Sequence, residues 1–192
     1  RRMADYVDAG KRRSDSASQL TAALALQSRR VSEAIRPDLV AQLDDPNCLT
    51  PELYMQYFTF RQLEQHGNPA AALARIRNYW GRNIDTGSPT MYEAAVHKFG
   101  KASFSGYGSL CHGFSTSPLE FFQRVILGIY PLESGFRSFA VTPQMLGLRF
   151  AQGMVPTPYG NIKVRWHCSG DGKVELQLSH PPECHPISDY NP

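Results

Sequence analysis

The sequence predicts an α+β chain in two parts, with helices over residues 1–129 and strands over 130–192. Three observations carry that prediction. Two apolar helical faces follow one another across a single turn at Gly67-Asn68-Pro69. A capping signal, Ser117-Pro118-Leu119-Glu120, then opens a last helix that stops at Gly128. After Pro131 the apolar period shortens from helical to alternating, punctuated by Gly, Pro and Asp. Helices that precede strands, instead of alternating with them, indicate separate domains.

Residues 16–28 form the first predicted helix. Leu20 and Leu24 fall four apart, and the alanines between them favour helix over strand. Val31, Ile35, Leu39 and Leu43 repeat that spacing, and Pro37 predicts a kink or a fresh start within it. Thr50 is the expected N-cap of the next helix, with Pro51 at its first position. Leu53, Tyr57, Phe60 and Leu63 form its apolar face, with Tyr57 and Phe58 counted as core, and Gly67 ends it. Asn68-Pro69 repeats the start signal; Ala72, Ile76 and Tyr79 follow, and Gly81 is the expected stop. So short a turn predicts an antiparallel αα-hairpin.

Residues 82–116 hold many Gly, Ser and Thr residues and no sustained period. Compact domains rarely keep so long a connection without a use for it. It contains Tyr92-Glu93 and Cys111-His112. Beyond the capped helix, strands are expected at 136–142, 148–151, 162–167 and 174–179, with Asp171-Gly172 as a hairpin turn. The tail from Pro181 is expected to be irregular. Together these strands make a small antiparallel sheet or sandwich.

At 192 residues the chain has room for one or two domains and a real core. The net charge of +3 is small, and Arg1-Arg2, Lys11-Arg12-Arg13 and Arg29-Arg30 are short clusters that suit solvated helix ends. Nucleic-acid binding needs a denser basic stripe. No apolar run approaches the ~20 residues of a membrane span. Cys48, Cys111, Cys168 and Cys184 include no C-x-x-C pair, which argues against a zinc ribbon. His167-Cys168 and Cys184-His185 would share a metal only if the fold brought them together; no metal or cofactor is expected. Cys168 and Cys184 are open to a disulfide or to remaining thiols, and no compartment is legible. The chain starts with Arg inside an apparent helix, so it is expected to continue a longer polypeptide.

Several longer words remain. They are Leu110-Cys111-His112-Gly113-Phe114-Ser115, Val125-Ile126-Leu127-Gly128-Ile129-Tyr130-Pro131, and Gly153-Met154-Val155-Pro156-Thr157-Pro158-Tyr159-Gly160-Asn161-Ile162. Upstream stand Asn78-Tyr79-Trp80-Gly81 and Gly87-Ser88-Pro89-Thr90-Met91-Tyr92-Glu93, then Ser18-Gln19-Leu20-Thr21 and Thr50-Pro51 with Gly67. In this order and spacing they resemble, over nearly the whole chain, the C-terminal part of bacterial-type α-L-rhamnosidases of glycoside hydrolase family 78. Tyr92 and Phe114 stand where that family more often has Trp, which bears on pocket shape more than on Glu93. The family's general acid lies in an Asp- and Arg-rich segment with no match here; Asp5, Asp8 and Asp15 have unlike surroundings.

The resemblance implies part of an (α/α)6 barrel, a ring of six helical hairpins, closed by a C-terminal β-sandwich. It implies hydrolysis of terminal α-L-rhamnosyl residues with inversion, at a site in loops such as 82–116. Glu93 looks like the general base; from the residues alone it would be a solvated loop carboxylate. Carboxylates are ionised at neutral pH and can polarise water. His112 resembles a histidine that contacts the sugar, and imidazole both donates and accepts hydrogen bonds. Trp80 and Tyr92 would offer stacking faces, although Trp80 fits a hairpin core equally well. Cys111-His112 is not read as a nucleophile pair, because sequence neighbours seldom face each other. The implied partners are a rhamnose-containing glycoside or polysaccharide and the N-terminal part of the same enzyme, bearing the acid, with neither nucleic acid nor membrane. The alternative is a non-catalytic carbohydrate-binding or interaction fragment lacking the acid.

Overall fold

The computed structural model describes residues 17–28, 30–94, 109–170 and 173–187. The chain divides into two compact units, residues 1–118 and 119–192. The division precedes the change of period at 130 because the last helical turns bury Phe121, Val125 and Ile126 and pack on strands of the second unit.

The first unit is helical. Helix α1, Gln19–Gln27, begins at Ser18, whose hydroxyl accepts the Thr21 N–H at 3.5 Å. Its buried face is Ala22, Ala23, Ala25 and Leu26, whereas Leu20 and Leu24 are only partly covered. Pro37 lies in the first turn of α2, Arg36–Gln42, so it starts a helix instead of kinking one. Thr50 and Pro51 do not open a helix as expected. A 3-10 turn, Leu53–Met55, intervenes before α3, Gln56–Gln65. The Gln56 amide donates to the Pro51 carbonyl at 3.0 Å and fixes that entry. Gly67 ends the hairpin's first arm in the left-handed region, at φ 77.

Asn68 then caps α4, Pro69–Asp85, accepting the Ala71 N–H at 3.3 Å. This helix does not stop at Gly81. Trp80 and Asn83 continue the buried face across it. A glycine inside a helix costs about 1 kcal/mol relative to alanine, too little to break a packed face. The left-handed residue comes later, at Gly87 with φ 75. Tyr57 also departs from expectation: it is 37% exposed, and Phe60 and Leu63 fill the core instead.

Arg75 ties the bundle together. Its guanidinium is buried, donating to Gln19 Oε1 at 2.9 Å, to Asp44 Oδ1 at 2.9 Å and to the Leu43 carbonyl. Helices α1, α2 and α4 therefore meet on one side chain. Arg75→Leu keeps the apolar stem but strands these acceptors, so it should lower unfolding free energy by about 3 kcal/mol. Denaturant titration of the variant measures this; a change under about 1 kcal/mol would show the network to be marginal.

The second unit opens within α5, Ser117–Phe121, which continues as a π-helical turn, Phe122–Ile126. The expected capping box is not formed. Among the described residues the Ser117 hydroxyl has no partner, and the Glu120 carboxylate pairs with Arg124 at 2.7 Å. A 3-10 turn, Gly113–Thr116, already carries the chain into the helix. Two three-stranded sheets follow. Strands β1 (Ile129–Pro131), β2 (Ser138–Val141) and β6 (His185–Ile187) lie in the order β1-β2-β6, with β2 and β6 parallel. Strands β3 (Phe150–Thr157), β4 (Gly160–Cys168) and β5 (Val174–Ser179) form an antiparallel meander. Strand β3 runs farther than expected, through Gly153 and Pro156, which an edge strand tolerates. Asp171-Gly172 lies outside the described residues, but Cys168 pairs with Val174 on either side of it. Trp166 is fully buried and donates its indole N–H to the Ile126 carbonyl at 2.7 Å.

All four cysteines are free thiols. Cys168 sits beside the Leu148 carbonyl, at one end of the β3–β4 hairpin, and Cys184 beside the Thr157 hydroxyl, at the other. Seven residues of strand separate those ends, about 23 Å at about 3.3 Å per residue. A disulfide needs Cα atoms within about 7 Å, so this pairing is closed, and so is a shared metal. Among the described residues no His, Cys, Asp and Glu cluster could hold a metal, and no helix is long and apolar enough to cross a membrane.

Candidate functional site

The loop after α4 returns on itself. The Glu93 N–H donates to the Ser109 carbonyl at 2.9 Å, and the Ser109 N–H donates to Glu93 Oε2 at 2.8 Å. One step outward, the His112 N–H donates to the Met91 carbonyl at 2.8 Å, and the Thr90 hydroxyl donates to the Leu110 carbonyl at 2.5 Å. Segments 90–93 and 109–112 thus run side by side as a clasp. Sequence alone could not foresee it, because both segments lack any apolar period.

The clasp brings Glu93 and His112 together. His112 Nδ1 lies 3.8 Å from Glu93 Oε2, and the two side chains are 26% and 40% exposed. Glu93 Oε1 makes no hydrogen bond among the described residues. One carboxylate oxygen is therefore held, and the other has no hydrogen-bond partner among the described residues.

The His112 ring is braced by two aromatics. Phe114 meets it edge-on at 5.3 Å between centroids, and Tyr54 does so at 6.3 Å. Tyr54 and Phe114 are themselves 6.3 Å apart, and Phe114 is 72% exposed. Tyr54 had no part in the sequence reading; it lies in the 3-10 turn Leu53–Met55, with its ring against His112.

Tyr92 and Trp80 go elsewhere. Neighbouring residues on an extended chain face opposite ways, and Tyr92 turns its phenol towards Thr86, at 3.4 Å. Hydrogen bonding with Ser88, and secondarily Thr86, lowers its pKa from the ordinary phenol value. Trp80 is 3% exposed, packs on Phe60 at 5.7 Å and donates its indole N–H to the Ser115 carbonyl at 2.7 Å. It supports the segment that follows His112 from inside the core.

Residues 128–185 match the family described as bacterial alpha-L-rhamnosidase C-terminal domain. An alpha-L-rhamnosidase of Alteromonas sp. (strain LOR) is 33% identical over 96 residues, which is 48% of this chain and 10% of that protein. The solved rhamnosidase of Bacillus sp. GL1, from glycoside hydrolase family 78, superposes with a TM-score of 0.73 at 26% identity. The chain resembles the C-terminal part of these rhamnosidases. That superposition covers 91% of this chain and 19% of the Bacillus protein, so both compact units contribute to the likeness. The α-L-rhamnosidase of Streptomyces avermitilis shares the fold at a TM-score of 0.73 and 22% identity, covering 88% of this chain and 17% of its own length. The chain thus spans between a tenth and a fifth of the length of the rhamnosidases it matches. The resemblance carried by the sequence motifs is borne out, and the α+β order of helices before sheets agrees with it.

Proposed function

We propose that this chain contributes the water-activating carboxylate, and part of the sugar pocket, to an inverting α-L-rhamnosidase. The observation that supports this reading best is the divided state of Glu93, with Oε2 fixed by the Ser109 N–H and Oε1 without a hydrogen-bond partner among the described residues. A general base must be positioned and yet keep a free lone pair. Oε1 takes a proton from water as the water oxygen attacks the anomeric carbon. The glycosidic C–O bond breaks, and its oxygen takes a proton from a second carboxylic acid about 6.5–9.5 Å from the first. In this reading the acid comes from the portion of the rhamnosidases that this chain does not span. On the same reading the helical unit is part of an (α/α)6 barrel, and the two sheets form a C-terminal β-sandwich.

His112 has a distinct task. Its side chain can donate to one sugar hydroxyl and accept from another, with its ring held by Tyr54 and Phe114. The exposed Phe114 face suits the apolar C–H surface of a deoxy-sugar. Tyr92, turned away from Glu93 towards Thr86, lies outside the sugar pocket, and Trp80 acts as a positioning residue through the Ser115 carbonyl. His112→Ala in the enzyme that contains this chain should raise KM for p-nitrophenyl α-L-rhamnoside about tenfold, the value of a single hydrogen bond in a site. Unchanged KM and kcat would remove His112 from sugar contact.

A further inference from the structure

The outward face of the β3–β4–β5 sheet carries a polar grid that rhamnoside hydrolysis does not use. Register places Arg165 between Gln152 and Gln177, and Lys163 between Met154 and Ser179. Cross-strand partners share a face. The alternate residues of β4, namely Ile162, Val164 and Trp166, are buried on the other one. A cavity of about 520 Å³ opens over these two rows. It belongs to the outward face, since behind Gly153 even a Cβ atom would lie 2.6 Å from Leu127.

Two features make this face unlike an ordinary solvated surface. Lys163 and Arg165 stand two residues apart on one strand, about 6.6 Å, where like charges repel. Among the described residues neither has an anionic partner. The acidic side chain of the adjoining row, Glu175, lies 3.5 Å from its cross-strand neighbour His167. The cations are also flanked by amides and a hydroxyl, which donate and accept at once, and by the exposed thioether of Met154. Amide and hydroxyl groups match vicinal hydroxyls, and a guanidinium fork matches a planar carboxylate with two parallel hydrogen bonds.

We propose that this face binds a carboxylate-bearing oligosaccharide, a chain containing uronate residues. Arg165 takes the carboxylate in its fork, Lys163 adds charge, Gln152 and Gln177 hold hydroxyls, and Met154 meets a ring face. An acidic peptide would also satisfy the cations, so polyglutamate is the competing ligand in the test.

Isothermal titration of the full chain with oligogalacturonate tests this. Binding is expected, weakening as salt is raised. A neutral galactan oligomer and polyglutamate should both bind more weakly. Arg165→Gln, at an exposed position that should leave thermal unfolding unchanged, should raise Kd about 10- to 100-fold. The proposal is overturned by absence of binding, by equal binding of the galactan, by tighter binding of polyglutamate, or by an unaffected Arg165→Gln variant. Glu93→Gln should bind oligogalacturonate normally, so failure here and failure of the hydrolytic reading are separable.

Discussion

Glu93→Gln lowers kcat for p-nitrophenyl α-L-rhamnoside by ~10²–10⁴-fold, the usual span of a general-base effect, in the enzyme that contains this chain. The substitution is discriminating because of how the loop is built. The amide oxygen of a glutamine can still accept the Ser109 N–H, which now goes to Glu93 Oε2 at 2.8 Å, so the clasp survives. What the amide cannot do is take a proton from water. Stability should therefore hold while turnover falls, and parallel measurement of thermal unfolding and steady-state kinetics checks both. In the parent enzyme, NMR of the first-formed product should show β-L-rhamnose, as direct attack by water requires. Near-parental turnover in the variant, or a product of retained configuration, would end the general-base assignment.

The second large effect is on stability. Gly128→Ala should cost about 2–5 kcal/mol, combining about 1–2 kcal/mol for the left-handed backbone with about 1–3 kcal/mol for overpacking. Gly128 sits at φ 72, and a Cβ there would lie 2.2 Å from both the Pro143 nitrogen and the Thr142 carbonyl carbon. Those neighbours are backbone atoms and cannot swing aside. The Thr142 N–H donates to the Gly128 carbonyl at 2.9 Å, and the Gln144 N–H to the Val125 carbonyl at 2.9 Å. A loss of this size is a large fraction of a domain's whole stability, about 5–15 kcal/mol. Gly147→Ala is the matched control, because it shares a positive φ of 79 but meets open space. Denaturant unfolding should show a loss of only about 1–2 kcal/mol there. Equal losses at both positions would mean that conformation, not collision, is what Gly128 answers to.

Much of this architecture was legible because its signals are local. Asn68-Pro69 caps a helix as its chemistry dictates, and β5 spans the predicted residues, 174–179. The misses share a cause. Gly81 and Thr50-Pro51 are local stop and start signals, and tertiary packing outvoted them: the buried face of α4 continues through Trp80 and Asn83, and Gln56 holds Pro51 outside α3. Strands β1 and β6 are three residues each and contain proline, so they exist only by pairing with β2. The site was half legible. Glu93 and His112 could be named from their surrounding words, but their approach to 3.8 Å depends on hydrogen bonds between segments sixteen or more residues apart. Tyr54 carried no signal at all, since its place depends on a 3-10 turn that no short motif announces.

The parallel partnership of β2 with β6 also sets an order of events. Ser138 aligns with His185, so a stretch of chain 47 residues downstream must emerge before the β1–β2 pair gains its third member. During translation the pair waits with one border unpaired, a state that invites adhesion to other nascent chains. Assembly of this sheet is therefore a late step, and ribosome pausing beyond Val141 would prolong the vulnerable interval.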